Sequence, residues 1–296
     1  MNQNLAIEHL FDSDTSVAVG STVSVETENG LETIERTNGL LDKLNHLAQE
    51  LNRLDDYEAP AARHNYPNNF QLSIVMPVYN EQATIGQVIA RLLAIEIPKE
   101  VIVVDDGSTD GTREILEKLK EVPELRVILK EQNAGKGAAV RTGFDCASGD
   151  IVLVQDADLE YDPRDIPKLL EPILDGICDV VYGSRFLENR HRGSSFIHRF
   201  GNRLLTRFSN LTTGLRLTDM ETCYKAFRRQ VISDLPMRQN RFGFEPEVTA
   251  KIARRGYSVY ELPIRYNARD WDAGKKIGMK DGFEALFCIF RYAWFD

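Results

Sequence analysis

Four carboxylates stand at every second position in VQDADLEYDP, residues 154–163: Asp156, Asp158, Glu160 and Asp162. They follow an apolar run, Ile151–Val154. Side chains at i and i+2 share one face of an extended chain, so Asp156 and Asp158 can converge just past a strand end. Clustered carboxylates repel each other and resist desolvation unless a cation neutralises them. Hard divalent ions such as Mg²⁺ or Mn²⁺ suit oxygen ligands and commonly bring a substrate's phosphates with them. Asp162 precedes Pro163, the pattern of a helix N-cap followed by proline at the first helical position, and is assigned to capping. Acidic turn chemistry alone remains the simpler reading of the whole stretch.

Two further stretches have the same character. In VVDDGSTDGT (103–112), Val104 and Asp105 close an apolar run, and a strand-end acid can accept hydrogen bonds from a ribose or a base. Thr109 or Asp110 would cap the helix that follows. In NAGKGAAVRTGF (133–144), Gly135 and Gly137 flank Lys136 at the start of a helical pattern. That arrangement reads as a cradle for a diphosphate at a helix N-terminus. Neither GxxxxGK[ST] nor GxGxxG is present, so neither established phosphate fingerprint applies.

The elements that must position these residues are legible from periodicity. LSIVMP, VIVVDD, RVILK, DIVLVQDAD and DVVYGS are short β-branched runs. Helical patterns at 82–95, 110–120, 135–147 and 165–175 separate them. Alternation of this kind predicts an α/β fold with a mostly parallel sheet covered on both faces. Such sheets bind ligands at the carboxyl ends of their strands, which is where Pro77–Glu81, Asp105 and Asp156–Asp158 fall.

Composition sets the bounds. The 296 residues are 43% hydrophobic and 27% charged, with a net charge of −9. Residues 1–70 hold twelve acidic against four basic residues and account for −8 of it. The rest is nearly neutral, so an anionic ligand is compatible and bulk nucleic-acid binding is not indicated. Residues 185–229 are locally basic, with ten Lys/Arg against three acids. The four cysteines show no zinc spacing and read as free thiols. No signal-peptide pattern opens the chain, and no apolar run reaches the ~18–20 residues that span a bilayer.

The chain divides into a disordered segment (1–30), an amphipathic helix with its linker (31–70) and one domain (71–296). Leu40, Leu44, Leu47, Leu51 and Leu54 form one helical stripe. It predicts either packing on the parent domain or self-association. The stretch GFEALFCIFRYAWF (282–295) reads as a core helix or an interfacial one.

Taken in order, PVYNE, VVDDGSTDGT, NAGKGAAVRTGF, DADLEYDP and GSRF resemble family 2 glycosyltransferases of the GT-A fold. DMETCYK (219–225), FGFEPEV (242–248) and YNARDWDAGKKI (266–277) look like its polyprenyl-phosphate branch, which includes dolichol-phosphate mannose synthases and dolichyl-phosphate glucosyltransferases. The resemblance implies transfer of a hexose from GDP-mannose or UDP-glucose to a polyprenyl or dolichyl phosphate, with inversion and a divalent metal, Mg²⁺ or Mn²⁺. By the same resemblance, Pro77, Tyr79, Glu81, Val104 and Asp105 would hold the nucleoside. Asp156, Ala157 and Lys136 would lie by the ribose, sugar and diphosphate. Asp158 and Glu160 would ligate the metal, with glutamate standing where relatives often carry glutamine. Arg185 and Arg199 match arginines near the donor and acceptor phosphates, and Arg269 and Lys276 match a basic loop that closes over the diphosphate. Lys275 stands where serine is frequent.

The nature of the acceptor remains open at this level. A phosphate monoester is already ionised near neutrality and needs cations rather than a base. A hydroxyl of a soluble or glycolipid acceptor, as in cell-envelope polysaccharide synthesis, needs one. Asp219 is then the candidate, unless Asp219 and Glu245 serve to position Arg and Lys side chains. A nucleotide-sugar-binding protein without turnover is the alternative from another class. Related enzymes often carry C-terminal membrane helices, and this chain does not. The expectation is a cytoplasmic protein held peripherally on the cytoplasmic face of a membrane. Helices at about 185–215 and 279–296 would lie near the bilayer, with a homo-oligomer or a membrane-anchoring partner compatible.

Overall fold

The computed structural model describes residues 25–53, 66–187, 191–192, 196–268 and 279–295. A helix, α1 (Val25–Arg53), comes first, followed by β1 (Leu72–Val78), α2 (Ile85–Leu93), β2 (Lys99–Asp105), α3 (Thr112–Leu119) and β3 (Leu125–Leu129). Then come α4 (Lys136–Cys146), β4 (Ile151–Val154), α5 (Ile166–Leu174) and β5 (Val180–Ser184). After these the chain forms the short β6 (His191–Arg192), α6 (Phe196–Thr213), β7 (Lys225–Arg228), α7 (Arg229–Asp234) and α8 (Phe244–Arg255). It ends with β8 (Val259–Pro263), β9 (Tyr266–Asn267) and α9 (Met279–Trp294).

Seven strands form one sheet in the order β3-β2-β1-β4-β7-β5-β8, and β6 pairs with β9 apart from it. The four residues of β4 are all buried, as are all but one of β1. Helices cover both faces of these strands, so their sequences run apolar without alternating. β1 pairs in parallel with β2 on one side and β4 on the other. Chain order therefore reverses at β1, which opens the ligand crevice of such sheets beyond the carboxyl ends of β1 and β4. The expected strands and helices from 72 to 184 all form close to their predicted positions.

β7 departs from the alternating pattern. It lies antiparallel between β4 and β5. Four residues, KAFR, with a lysine and an arginine among them, carry too little periodic signal to announce a central strand. β8 completes the sheet in parallel with β5, and Glu261 stands opposite Tyr182.

The N-terminal helix begins earlier than expected. Residues 25–30, assigned above to a disordered segment, are helical. Their sequence, VETENG, places acids in the first turn, where the helix dipole favours them. Leu44, Leu47, Ala48 and Leu51 are buried in the common core, and α1 packs along α2. Packing on the parent domain is thus the observed arrangement for this stripe. Residues 1–24 and 54–65 lie outside the described residues.

The two glycines of NAGKG stand where the backbone of a distant segment comes close. Asp106 Oδ2 accepts the amides of Ala134 and Gly135 at 3.0 and 2.6 Å, and Asn240 O accepts Ala138 N at 3.0 Å. Three amides around this helix start are therefore engaged by protein rather than open to a phosphate. A Cβ at Gly135 would lie 2.4 Å from Asn240 O, and the residue sits at φ +99°. The glycines let the 239–241 segment approach α4 closely. Gly135→Ala is expected to destabilise the fold by roughly 2 kcal/mol or more, because strained φ and backbone overlap act together. Urea denaturation checks this through a lowered midpoint at unchanged m-value.

Candidate active site

At the end of β2, Asp105 is fully buried. Its Oδ1 accepts the amides of Gly107 and Ser108, both at 3.2 Å, and Arg113 Nε at 2.7 Å. Its Oδ2 is buried with no hydrogen-bond partner. A carboxylate oxygen left in that state wants a donor, and an N–H or O–H from a base or ribose would supply one. Beside it, Pro77 is half-buried in β1 and Tyr79 projects into solvent. The side chain of Glu81 accepts Thr84 Oγ1 at 2.8 Å, and the same hydroxyl reaches Ala157 O at 2.8 Å. That hydroxyl joins the segment after β1 to the segment after β4. Val104 lies wholly in the core, one residue short of the strand end.

Past β4, Asp156 meets Lys136 Nζ at 2.9 Å, and Lys136 also lies 3.3 Å from Glu245 Oε1. Burial opposes the lysine's charge, but Asp156, Cys223 and Glu245 hold its ammonium well above the ordinary range. Leu159 then takes φ +62°, a conformation that L-residues rarely adopt. This kink turns the chain between Asp158 and Glu160. Asp158 Oδ1 accepts Glu160 N at 3.1 Å, and Glu160 Oε2 accepts Tyr266 Oη at 2.6 Å. Asn267 N donates to Glu160 O at 2.9 Å, so β9 anchors the turn. Asp162 accepts Arg164 N at 3.0 Å as the N-cap of the 3-10 turn Pro163–Asp165.

Among the described residues, no three His, Cys, Asp or Glu side chains gather into a metal-holding group. Two neighbouring carboxylates still fit the donor set of Mg²⁺ or Mn²⁺, which binds through one or two carboxylates with substrate phosphates and water completing the shell.

Arg185, just past β5, is held by Asp219 through Nε at 2.7 Å and Nη2 at 2.8 Å. Asn202 Nδ2 donates a third hydrogen bond to Asp219, at 2.9 Å. Burial would raise the Asp219 carboxyl, but Arg185 overrides it and holds it below the usual carboxylate range. The guanidinium lies over the Tyr266 ring, 5.1 Å from its centroid. Arg199, on α6, has a buried Nε without a partner. Arg269 and Lys276, with Lys275, lie outside the described residues.

Several residues that complete this arrangement escaped the sequence reading. Glu261 of β8 accepts the amides of Thr218 and Asp219, both at 2.9 Å, and so fixes the loop that carries Asp219. Tyr161 Oη accepts Cys223 N at 3.0 Å and its ring packs on those of Tyr224 and Tyr266. Glu221 adds a further carboxyl beside Glu245, Lys225 and Arg185. Tyr161 and Glu221 lie within the DADLEYDP and DMETCYK stretches quoted above, which gave neither of them a role, and Glu261 had no signal at all.

A model of "Glycosyl transferase family 2" matches residues 73–235. Among characterised relatives, the undecaprenyl-phosphate 4-deoxy-4-formamido-L-arabinose transferase of Aeromonas hydrophila is 34% identical over 67% of this chain and 60% of its own. Glycosyltransferase AglJ of Haloferax volcanii is 34% identical over 69% of this chain and 65% of its own. The match thus spans less than two thirds of the length of these relatives. In fold, the chain resembles glucosyl-3-phosphoglycerate synthase from Mycobacterium tuberculosis, solved with Mn²⁺, UDP and glucosyl-3-phosphoglycerate. The TM-score is 0.58 at 21% identity, covering 78% of this chain and 85% of that one. The same enzyme solved with Mg²⁺ and UDP gives 0.59 at 22% identity, covering 76% and 80%.

Proposed function

Because the chain belongs to glycosyl transferase family 2 and has the GT-A fold, we propose that it transfers a hexose from a nucleotide-sugar to a polyprenyl phosphate. The observation that carries the choice of acceptor is the state of Asp219. Both of its oxygens are committed to Arg185 and Asn202, and its carboxyl is held ionised. A carboxylate so occupied is a poor proton acceptor for a hydroxyl, whereas a lipid phosphate needs no base and is attracted by Arg185 and Arg199. Asp219 accordingly serves as the positioning partner of Arg185. The relatives named for undecaprenyl-phosphate chemistry point the same way.

In this reading the nucleoside lies along Pro77, Tyr79, Glu81 and Asp105, and the buried Oδ2 of Asp105 takes a donor from base or ribose. Asp156 and Ala157 line the ribose and sugar, with Lys136 clamped beside them. Asp158 and Glu160 would hold Mg²⁺ or Mn²⁺, which when bound stabilises the negative charge of the leaving diphosphate. Arg185 then directs the acceptor oxygen toward the anomeric carbon from the face opposite the leaving group, so that configuration inverts. Arg269 and Lys276 are assigned to covering the diphosphate. Residues 71–296 constitute the transferase domain.

A membrane-proximal placement is supported by α6 and α9, which pack together through Phe208 and Phe290, ring centroids 6.2 Å apart. Phe283, Phe287, Phe290 and Trp294 form an exposed stripe on α9, and Phe200, Leu204 and Leu211 are exposed on α6. Exposed Arg203 and Arg207 interleave with them. Aromatic and apolar side chains beside arginine suit the interface of an anionic bilayer. Among the described residues, no helix is long and apolar enough to cross one.

The deciding assay offers UDP- and GDP-hexoses with Mn²⁺, against polyprenyl phosphate or a panel of free and lipid-linked sugars. Transfer to the phosphate is expected. Transfer to sugar hydroxyls alone would sink the reading.

A further inference from the structure

Tyr266 of β9 joins the two halves of the cleft through one side chain. It is 5% exposed. Its hydroxyl donates to Glu160 Oε2 at 2.6 Å, and the Arg185 guanidinium stands over its ring, 5.1 Å from the centroid. Glu160 is one of the two proposed metal ligands, and Arg185 is the proposed guide of the acceptor phosphate. The reaction as described gives the tyrosine between them no task.

The backbone delivers Tyr266 to this place. Ile264 N donates to Ser184 O at 3.0 Å, Arg265 N to Asp165 Oδ2 at 2.7 Å and Asn267 N to Glu160 O at 2.9 Å. Tyr266 forms an antiparallel bridge with Tyr161, and their rings meet edge to face with centroids 5.3 Å apart. The segment is thus tied to the end of β5 and to the turn after β4. A side chain locked by such packing and hydrogen bonds can hold its neighbours in a productive geometry.

Each contact has a chemical consequence. A hydroxyl-to-carboxylate bond of 2.6 Å has the length of a charge-assisted one. It fixes one Glu160 oxygen, while Asp158 Oδ1 accepts the Glu160 amide at 3.1 Å. Metal-ligating carboxylates are oriented by outer hydrogen bonds of this kind, and losing one weakens metal binding about 10–100-fold. On the other side, Asp219 grips the edge of the Arg185 guanidinium through Nε and Nη2. That contact restrains the guanidinium within its plane, and an aromatic face restrains tilting out of it. Resting on the proposed transfer to a lipid phosphate, we propose that Tyr266 is a positioning residue for both ends of the reaction. Its hydroxyl aims the Glu160 carboxylate at the metal, and its ring holds the Arg185 guanidinium toward the acceptor phosphate. The two roles belong to different atoms, so substitution separates them.

The experiment compares the full chain as wild type, Tyr266→Phe and Tyr266→Leu. Mn²⁺ binding is titrated by electron paramagnetic resonance with UDP and with GDP, a readout independent of turnover. Tyr266→Phe, which keeps the ring, should bind Mn²⁺ about tenfold or more weakly. At saturating Mn²⁺ its KM for polyprenyl phosphate should stay within about twofold of wild type. Tyr266→Leu should show the same Mn²⁺ defect and, at saturating Mn²⁺, a KM for polyprenyl phosphate raised about fivefold or more. Tyr266→Met, which fills more of the ring's volume, takes its place should the leucine variant not fold. Wild-type Mn²⁺ affinity in Tyr266→Phe overturns the role of the hydroxyl, and equal lipid-phosphate KM in the phenylalanine and leucine variants overturns that of the ring. A lowered denaturant midpoint with both binding constants unchanged reveals a merely structural tyrosine and overturns the whole proposal. Wild type that binds no Mn²⁺ with either nucleotide overturns the role of the hydroxyl together with the metal assignment. Lack of transfer to any lipid phosphate, with Mn²⁺ binding still weakened in Tyr266→Phe, would refute the acceptor assignment and the ring's role with it, while supporting that of the hydroxyl.

Discussion

Asp158→Ala is expected to reduce sugar transfer by at least about a hundredfold, with most of the loss in kcat. Each tenfold costs about 1.4 kcal/mol of transition-state stabilisation, so this asks roughly 3 kcal/mol of one ligand. Asp158 is bonded to the amide of Glu160 across the left-handed Leu159, so truncation removes one proposed ligand and loosens the turn that presents the other. A chelator should reproduce the loss in wild type, and added Mn²⁺ should reverse it there but not in the variant. Turnover by Asp158→Ala at the wild-type rate, with the same Mn²⁺ dependence, would remove Asp158 from the metal site. Thermal unfolding distinguishes lost chemistry from lost fold, since the variant should melt close to wild type without donor.

The second large effect is on stability. Asp219→Asn leaves the Arg185 guanidinium buried beside a neutral amide, whereas in wild type it has a bidentate carboxylate. Removing one partner of a buried pair typically costs about 3–5 kcal/mol, chiefly through the charge left uncompensated. The folded carboxyl of Asp219 is depressed, so its contribution is fully present above the unfolded value of about 3.9. It disappears as pH falls through the lower folded value. Wild type and Asp219→Asn should therefore differ in denaturant midpoint near pH 7 and converge in acid. Equal midpoints at neutrality would show that the pair contributes nothing net. Glu261, which holds the Asp219 amide at 2.9 Å, extends the same support one residue further from the cleft.

The alternating half of the chain was legible because each element there carries its own signal. The runs before Asp105 and Asp156 are apolar and β-branched, and the parallel sheet they imply puts both acids at one edge. Asp162 was identified as a cap from the proline beside it, and it accepts the amide of Arg164. The NAGKG glycines signalled close approach without saying by what. Here the neighbour is the backbone of Asn240, about a hundred residues later in the chain.

By itself, the sequence determined the kind of sheet, the strand ends that face the crevice and the acids that stand there. Period and turn chemistry are local properties, written within a few residues of each site. Only the tertiary structure decided which charges meet. Arg185 and Asp219 are 34 positions apart, and Tyr266 and Glu160 are 106 apart. Their pairing depends on an antiparallel β7 inserted between β4 and β5 and on β8 closing the sheet. A buried charge draws its energy from whatever partner the fold carries within reach, and that distance is written in no stretch of sequence. For this reason Asp219 could be either a base or an anchor until Arg185 was seen against it.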